Sequence, residues 1–191
     1  RVYIGAQIRN TLRASLDSGL QQPAVRWVML AAFCNGGVAI YGFYAAQPYL
    51  LQLYGDPHAF GVSGLSAAVV AAAQIAAGFA ATYVRRLFAR RTHVLILSAV
   101  LVAACLWAMS TVSTFALVFA VLVAWSFSMW VAMPLRQTYL NGIIPSAQRA
   151  TVLSFDNLMT SAGGVLAQPA LGRVADVRGY PFANLVAAFV Q

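Results

Sequence analysis

Five long apolar stretches constrain the fold of this 191-residue chain more than any other feature. A helix needs about 20 mostly apolar residues to cross a hydrocarbon core about 30 Å thick, and each stretch is of that order. The stretches lack the alternating pattern of barrel strands, so their backbone groups have to be satisfied within helices. They predict an all-α, polytopic transmembrane helical bundle, with spans at approximately residues 27–50, 62–84, 94–112, 115–139 and 152–171.

The composition argues against the soluble classes of protein. Hydrophobic residues make up 61% of the chain and charged residues 8%, against about 45–50% and about 25% in soluble domains. Such a chain cannot cover a globule with a wetted surface, which excludes a soluble enzyme or a nucleic-acid-binding domain. Cys34 and Cys105 lie inside apolar runs without metal-ligand spacing, so we expect no metal and no cofactor.

The basic residues predict the orientation of the spans. All twelve are arginines, and the formal net charge is +8. Nine of them fall before the first span or in the second-to-third and fourth-to-fifth connections, whereas two fall in the fifth-to-sixth connection. Basic loops stay in the cytoplasm, so we expect a multi-pass protein of a bacterial inner membrane with a cytoplasmic N-terminus. The positive charge therefore needs no nucleic acid to explain it.

The two ends of the sequence differ from the five spans. An apolar run at residues 181–191 reaches about 16 Å as a helix, roughly half a bilayer, so it is predicted to be the start of a sixth span in a fragment of a longer chain. Residues 1–26 have apolar side chains every four residues, at Ile8, Leu12, Leu16 and Leu20. This spacing predicts a cytoplasmic linker with an amphipathic helix on the membrane or the bundle, or alternatively a partner-binding helix. Residues 27–191 are predicted to form the bundle.

Several segments carry a family resemblance. They are PAVRW at residues 23–27, PLRQTYLN at 134–141, IPSAQRATVLSF at 144–155, the pair Gly163 and Gly164, and LGRVADVRGY at 171–180. They resemble the start of the seventh helix, the junction of the tenth and eleventh helices, and the outer end of the eleventh helix in major facilitator superfamily transporters. The chain departs from the family's cytoplasmic loop signature, of which only the basic pair Arg90 and Arg91 is present.

The resemblance implies that the chain is the C-terminal half of a twelve-helix carrier. Such carriers rock two six-helix halves around a central site, and the first and fourth spans of this chain would line it. The implied partners are the lipid bilayer, the missing N-terminal half and a small-molecule substrate, with a proton as a candidate coupling ion.

Polar and aromatic residues on these two spans are the candidates for lining a substrate cavity. Helical spacing places one group in a single sector of the first span, opposite Asn35: Tyr41, Tyr44 and Gln47. The fourth span has one continuous face with residues at i, i+4, i+7 and i+11: Ser126, Trp130, Met133 and Gln137. The alternatives are hydrogen bonds to neighbouring helices, an interfacial aromatic belt or ordinary helix packing.

Two charged residues lie inside the predicted spans. Arg136 and Asp156 each fall about five residues from the connection between the fourth and fifth spans, at matching depth. A lone charge in a bilayer is costly, so they are predicted to form an intramembrane ion pair that is structural or gate-closing. The alternative is that Arg136 reaches the cytoplasm alone. Gly36, Gly37 and Pro134 are candidate hinge or kink positions, although kinks also occur without gating.

Taken together, these features predict a secondary active transporter that moves small organic molecules by alternating access. The uncharged, aromatic character of the cavity candidates favours an efflux carrier, and uptake of a sugar or metabolite is the alternative among transporters. A non-transport polytopic protein, such as an intramembrane enzyme or an assembly subunit, is the other alternative. An enzyme would need paired His, Asp or Ser groups at one depth, and none are visible in the sequence, so no catalytic residue is predicted.

Overall fold

The computed structural model describes residues 23–88, 91–146 and 149–191, which form six helices and no strand. The helices are α1 Pro23–Tyr54, α2 Phe60–Leu87, α3 Arg91–Thr111, α4 Phe115–Ile143, α5 Arg149–Arg178 and α6 Tyr180–Val190. Each overlaps one of the six predicted apolar segments, and the prediction of an all-α helical bundle is confirmed. The amphipathic helix predicted within residues 1–26 falls mostly on residues 1–22, outside the described residues.

The helices are longer than the predicted apolar runs, because polar residues at the ends of those runs are also helical.

Two of the helices are followed by a glycine that ends them. Gly55 after α1 and Gly179 after α5 both have φ of +85°, a left-handed conformation that suits glycine because it has no Cβ. Each donates its N–H to the carbonyl four residues earlier, Gly55 to Leu51 at 3.1 Å and Gly179 to Ala175 at 2.8 Å.

Four of the described helices are long and apolar enough to cross a membrane. The qualifying segments are Val25–Tyr54, Phe60–Leu87, Thr92–Thr111 and Phe115–Ile143, in α1 to α4. Helix α5 has 30 residues, about 45 Å of helix, but it carries polar side chains along its length: Asp156, Asn157, Gln168, Arg173 and Asp176. Its crossing of the membrane therefore stays a prediction. Helix α6 is a shorter apolar helix of 11 residues.

Helix packing leaves most of the large apolar side chains on the outside. Helix α1 packs along α5, α4 contacts both α2 and α3, and α3 also contacts α6. Buried residues from α1, α3, α4, α5 and α6 form the largest core cluster, which includes Val38, Leu106 and Trp125. By contrast, Phe79 and Phe189 are 74% and 84% exposed. A surface this apolar would associate in water but is suited to contact with lipid or with further helices.

The contact between α1 and α5 depends on small residues. A Cβ on Gly36 would stand 2.6 Å from Cγ2 of Thr160, and one on Gly37 would stand 2.7 Å from Cβ of Ala167. On the opposite side of the same contact, a Cβ on Gly163 would collide with the carbonyl oxygen of Phe33. Close approach of this kind gives membrane helices the dispersion contacts that lipid does not otherwise favour. Gly36 and Gly37 therefore serve close packing, and a hinge at these positions stays a prediction.

Candidate functional site

The cavity candidates that the structure leaves accessible lie on the second half of α1 and the second half of α4. Tyr44 is 61% exposed, Trp130 44% and Met133 39%. The amide side chains of Gln47 and Gln137 are exposed on the same two helices. Together these five residues, called the exposed aromatic–amide group below, offer ring faces, a thioether and amides.

Two of the predicted cavity residues lie elsewhere. Tyr41 is 2% exposed and Ser126 is 0% exposed, so both are inside the bundle and do not reach the accessible surface. Helices α1 and α4 come close at this level, where a Cβ on Gly42 would stand 2.7 Å from Cζ2 of Trp125. Helical periodicity assigns a residue to a face, but it does not say where a neighbouring helix covers that face. Asn35, predicted to point away from the cavity candidates, accepts a hydrogen bond from Gln191 beyond the end of α6.

The interior of the bundle has no space for an organic substrate next to this crossing. A cavity of about 10 Å³ lies between α1, α3, α4 and α6, and its walls include Gly42, Trp125 and Asn184. This volume is enough for about one water molecule. Beside it, the Tyr49 hydroxyl donates a hydrogen bond to the Met109 carbonyl at 3.1 Å and so ties α1 to α3. The space between these four helices is therefore too small for an organic molecule.

Arg136 and Asp156 are in contact in the structure. Arg136 Nη1 donates to Asp156 Oδ2 at 2.8 Å, and Arg136 Nη2 donates to Asp156 Oδ1. The same Nη2 lies 3.4 Å from the carbonyl oxygen of Val28. The side chains are 19% exposed for the arginine and 5% exposed for the aspartate. One guanidinium thus joins α4, α5 and α1 with the two-point geometry that arginine and carboxylate favour.

Sequence reasoning missed some of the residues at these sites. The Val28 carbonyl leaves no signal in the sequence, because every residue has a backbone carbonyl. Phe43 is 56% exposed, and its ring meets that of Tyr44 edge-on at 5.4 Å. In the sequence Phe43 reads as an ordinary apolar residue of a span, and only its ring contact with Tyr44 distinguishes it.

Metal chemistry has no support in the part of the chain that the structure describes. No group of three or more His, Cys, Asp or Glu side chains there could hold a metal ion. Asp56 and His58 are neighbours in the exposed connection between α1 and α2, where the Asp56 carboxylate accepts the His58 backbone N–H at 2.8 Å. This contact is a local turn and not a ligand pair.

Comparison with known proteins gives one family. No curated protein matches the chain. Residues 8–190 match the family model of the Major Facilitator Superfamily. The matched range covers nearly the whole chain and includes all of α1 to α6. The match agrees with the long apolar helices of the structure. On this evidence the chain belongs to the Major Facilitator Superfamily of membrane transporters.

Proposed function

We propose that the chain is one half of a secondary active carrier that exports small aromatic organic molecules by alternating access. The other half would supply six further helices, and the exposed aromatic–amide group would line the cavity between the halves. This placement follows the general design in which a central site near the midplane is exposed to each side in turn.

The observation that carries this proposal is the exposure of uncharged polar groups on apolar helices. An amide facing lipid finds no hydrogen-bond partner, and burying such a group unpaired costs free energy. Gln47 and Gln137 are nevertheless exposed. A water-filled cavity would give these amides partners, and the exposed rings of Tyr44 on α1 and Trp130 on α4 would each offer an aromatic molecule an apolar contact.

The ion pair between Arg136 and Asp156 supports a half-carrier that moves as one rigid body. Arg136 contacts Asp156 and the Val28 carbonyl, all within the same half of the proposed carrier. A contact within one half does not open when two halves rock apart. We therefore assign the pair a structural role, in which it holds α1, α4 and α5 together, instead of a gate-closing role.

Export and the bacterial inner membrane are parts of the same proposal. The arginine distribution supports a cytoplasmic N-terminal end for α1, and the uncharged aromatic group supports flat organic molecules over sugars or anions. Uptake of such a molecule would use the same surface.

The test uses proflavine, a fluorescent planar dye that carries a positive charge at neutral pH. Cells that express the full-length carrier should accumulate less proflavine than cells without it. Trp130→Ala removes a ring that can stack on a cationic dye and should lower transport about 2- to 30-fold at equal membrane abundance. The matched control is Trp107→Ala on α3, which removes a similarly exposed tryptophan, 57% against 44%, and should leave transport unchanged.

Each other result has a defined meaning. Higher dye accumulation in expressing cells would replace export by uptake. No effect of the carrier on accumulation would contradict the substrate class. Equal losses in Trp130→Ala and Trp107→Ala would contradict the assignment of the substrate surface to α4.

A further inference from the structure

Two prolines interrupt the helices that carry the exposed aromatic–amide group. Pro48 lies within α1 and Pro134 within α4. Proline has no backbone N–H, so the carbonyl four residues earlier loses its helical hydrogen-bond donor. Those carbonyls belong to Tyr44 and Trp130, the two aromatic residues of the group.

The freed carbonyls lie on the accessible side of their helices. Residues at i and i+4 share one face, and a helical carbonyl points towards the residue four positions later. Tyr44 and Trp130 are exposed, and so are Pro48 and Pro134. Each carbonyl is therefore placed between two exposed side chains and away from the buried side of its helix.

The donor that proline removes from each of these carbonyls is the backbone N–H of the residue four positions later, at Pro48 and Pro134. The Thr138 hydroxyl is close in sequence, but it donates to the carbonyl of Pro134 at 2.7 Å. A backbone carbonyl left without a donor in hydrocarbon costs free energy, so proline in a spanning helix needs a donor from another group. Two acceptors at the accessible side of α1 and α4 are thus open to a ligand.

We infer that the carbonyl oxygens of Tyr44 and Trp130 accept hydrogen bonds from the transported molecule. The inference rests on the proposed function and adds a selection rule to it: molecules whose exocyclic amino or hydroxyl groups donate hydrogen bonds are preferred over isosteres in which those groups carry no hydrogen. The acceptors are backbone atoms, and they are available because residues 48 and 134 are prolines and have no N–H to donate.

The two acceptors lie at different levels. Val28 contacts Arg136, and Gly42 packs on Trp125, so α1 and α4 run antiparallel. Counting residues from either contact at a rise of about 1.5 Å per residue separates Tyr44 from Trp130 by roughly 10–15 Å along the helix axes. Their carbonyls point to opposite ends of the bundle, because each points towards the C-terminal end of its own helix. A donor that arrives from either side of the membrane therefore meets one acceptor, and each can be tested alone.

The experiment compares two dyes that share one ring system. Proflavine carries two exocyclic amino groups, which are donors, and acridine orange carries dimethylamino groups in the same places, which are not. Their dissociation constants are measured by fluorescence on the purified full-length carrier. Pro48→Ala and Pro134→Ala each supply the missing N–H, so each should weaken proflavine binding about two- to tenfold and leave acridine orange binding unchanged.

Two further sets of variants separate this effect from a change in helix shape. Pro48→Gly and Pro134→Gly supply the same N–H in a more flexible backbone and should reproduce the result of the alanine variants. Pro169→Ala removes the proline of α5, which carries no member of the exposed aromatic–amide group, and should leave the ratio of the two dissociation constants unchanged.

The outcomes distinguish the inference from the proposed function. If both dyes bind and the ratio is the same in wild type, Pro48→Ala and Pro134→Ala, the inference is overturned and the proposed function stands. If the ratio changes equally in Pro169→Ala, the carbonyls of Tyr44 and Trp130 are not the cause, and the inference is also overturned. If neither dye binds, the proposed substrate class and the inference both fail.

Discussion

Arg136 on α4 donates to both carboxylate oxygens of Asp156 on α5, and Asp156 is the more deeply buried partner. Their side chains are 19% and 5% exposed, respectively. The arginine also contacts the Val28 carbonyl of α1, whereas the backbone carbonyl of Asp156 accepts a hydrogen bond from Thr160 at 3.0 Å. The asymmetry in burial means that the two residues depend on each other unequally.

The first prediction follows from this asymmetry. Arg136→Gln leaves a buried carboxylate without its partner, which should lower the free energy of unfolding by about 3–5 kcal/mol. Asp156→Asn should cost less, because the long arginine side chain can reach water and keeps its contact with Val28. The measurement is the thermal midpoint of the purified carrier together with its abundance in the membrane.

A double substitution tests whether the effect belongs to the pair. Arg136→Gln with Asp156→Asn should be milder than the sum of the single changes, since neither charge is then stranded. Arg173→Gln, which removes an exposed arginine of α5, is the control and should stay within about 0.5 kcal/mol of the wild type. Strict additivity of the two single effects would show that the contact contributes nothing.

How much of this arrangement could be predicted differs from residue to residue. Arg136 and Asp156 could be paired from the sequence, because charge is costly in a bilayer and their distances from one connection match. The sequence could not show that Tyr41 is buried and Tyr44 exposed, because both lie in one sector of α1. The same holds for Ser126 and Trp130 on one face of α4. Their burial depends on where α1 and α4 approach each other. That approach is set by Gly42 and Trp125, which lie 83 positions apart in the sequence.

The second prediction concerns the contact between α1 and α5. Gly163→Ala would place a methyl group against the Phe33 carbonyl oxygen, and backbone cannot move aside as a flexible side chain can. Overpacking of this kind should lower the free energy of unfolding by about 1–3 kcal/mol. The change should appear as a lower thermal midpoint of the purified carrier.

Helix α5 supplies a matched control for this substitution. A Cβ on Gly172 would meet nothing within 4 Å, so Gly172→Ala should be neutral or slightly stabilising, because alanine is the better helix former. Equal shifts of the thermal midpoint in Gly163→Ala and Gly172→Ala would contradict this prediction. They would show that Gly163 is not needed for the close approach of α1 and α5.

The third prediction concerns the orientation of the helices in the membrane. His58 lies in the connection between α1 and α2, and its side chain is 81% exposed. The arginine distribution predicts that this connection lies outside the cytoplasm. Ser146 is exposed in the connection between α4 and α5, which the same arginine distribution predicts to be cytoplasmic. In intact cells, a membrane-impermeant maleimide should therefore label His58→Cys in the full-length carrier but reach Ser146→Cys only after permeabilisation.

The unsubstituted carrier gives the baseline labelling of the native cysteines Cys34 and Cys105, which lie within α1 and α3. Labelling of Ser146→Cys in intact cells, with protection of His58→Cys, would reverse the orientation and show that these arginines do not set it.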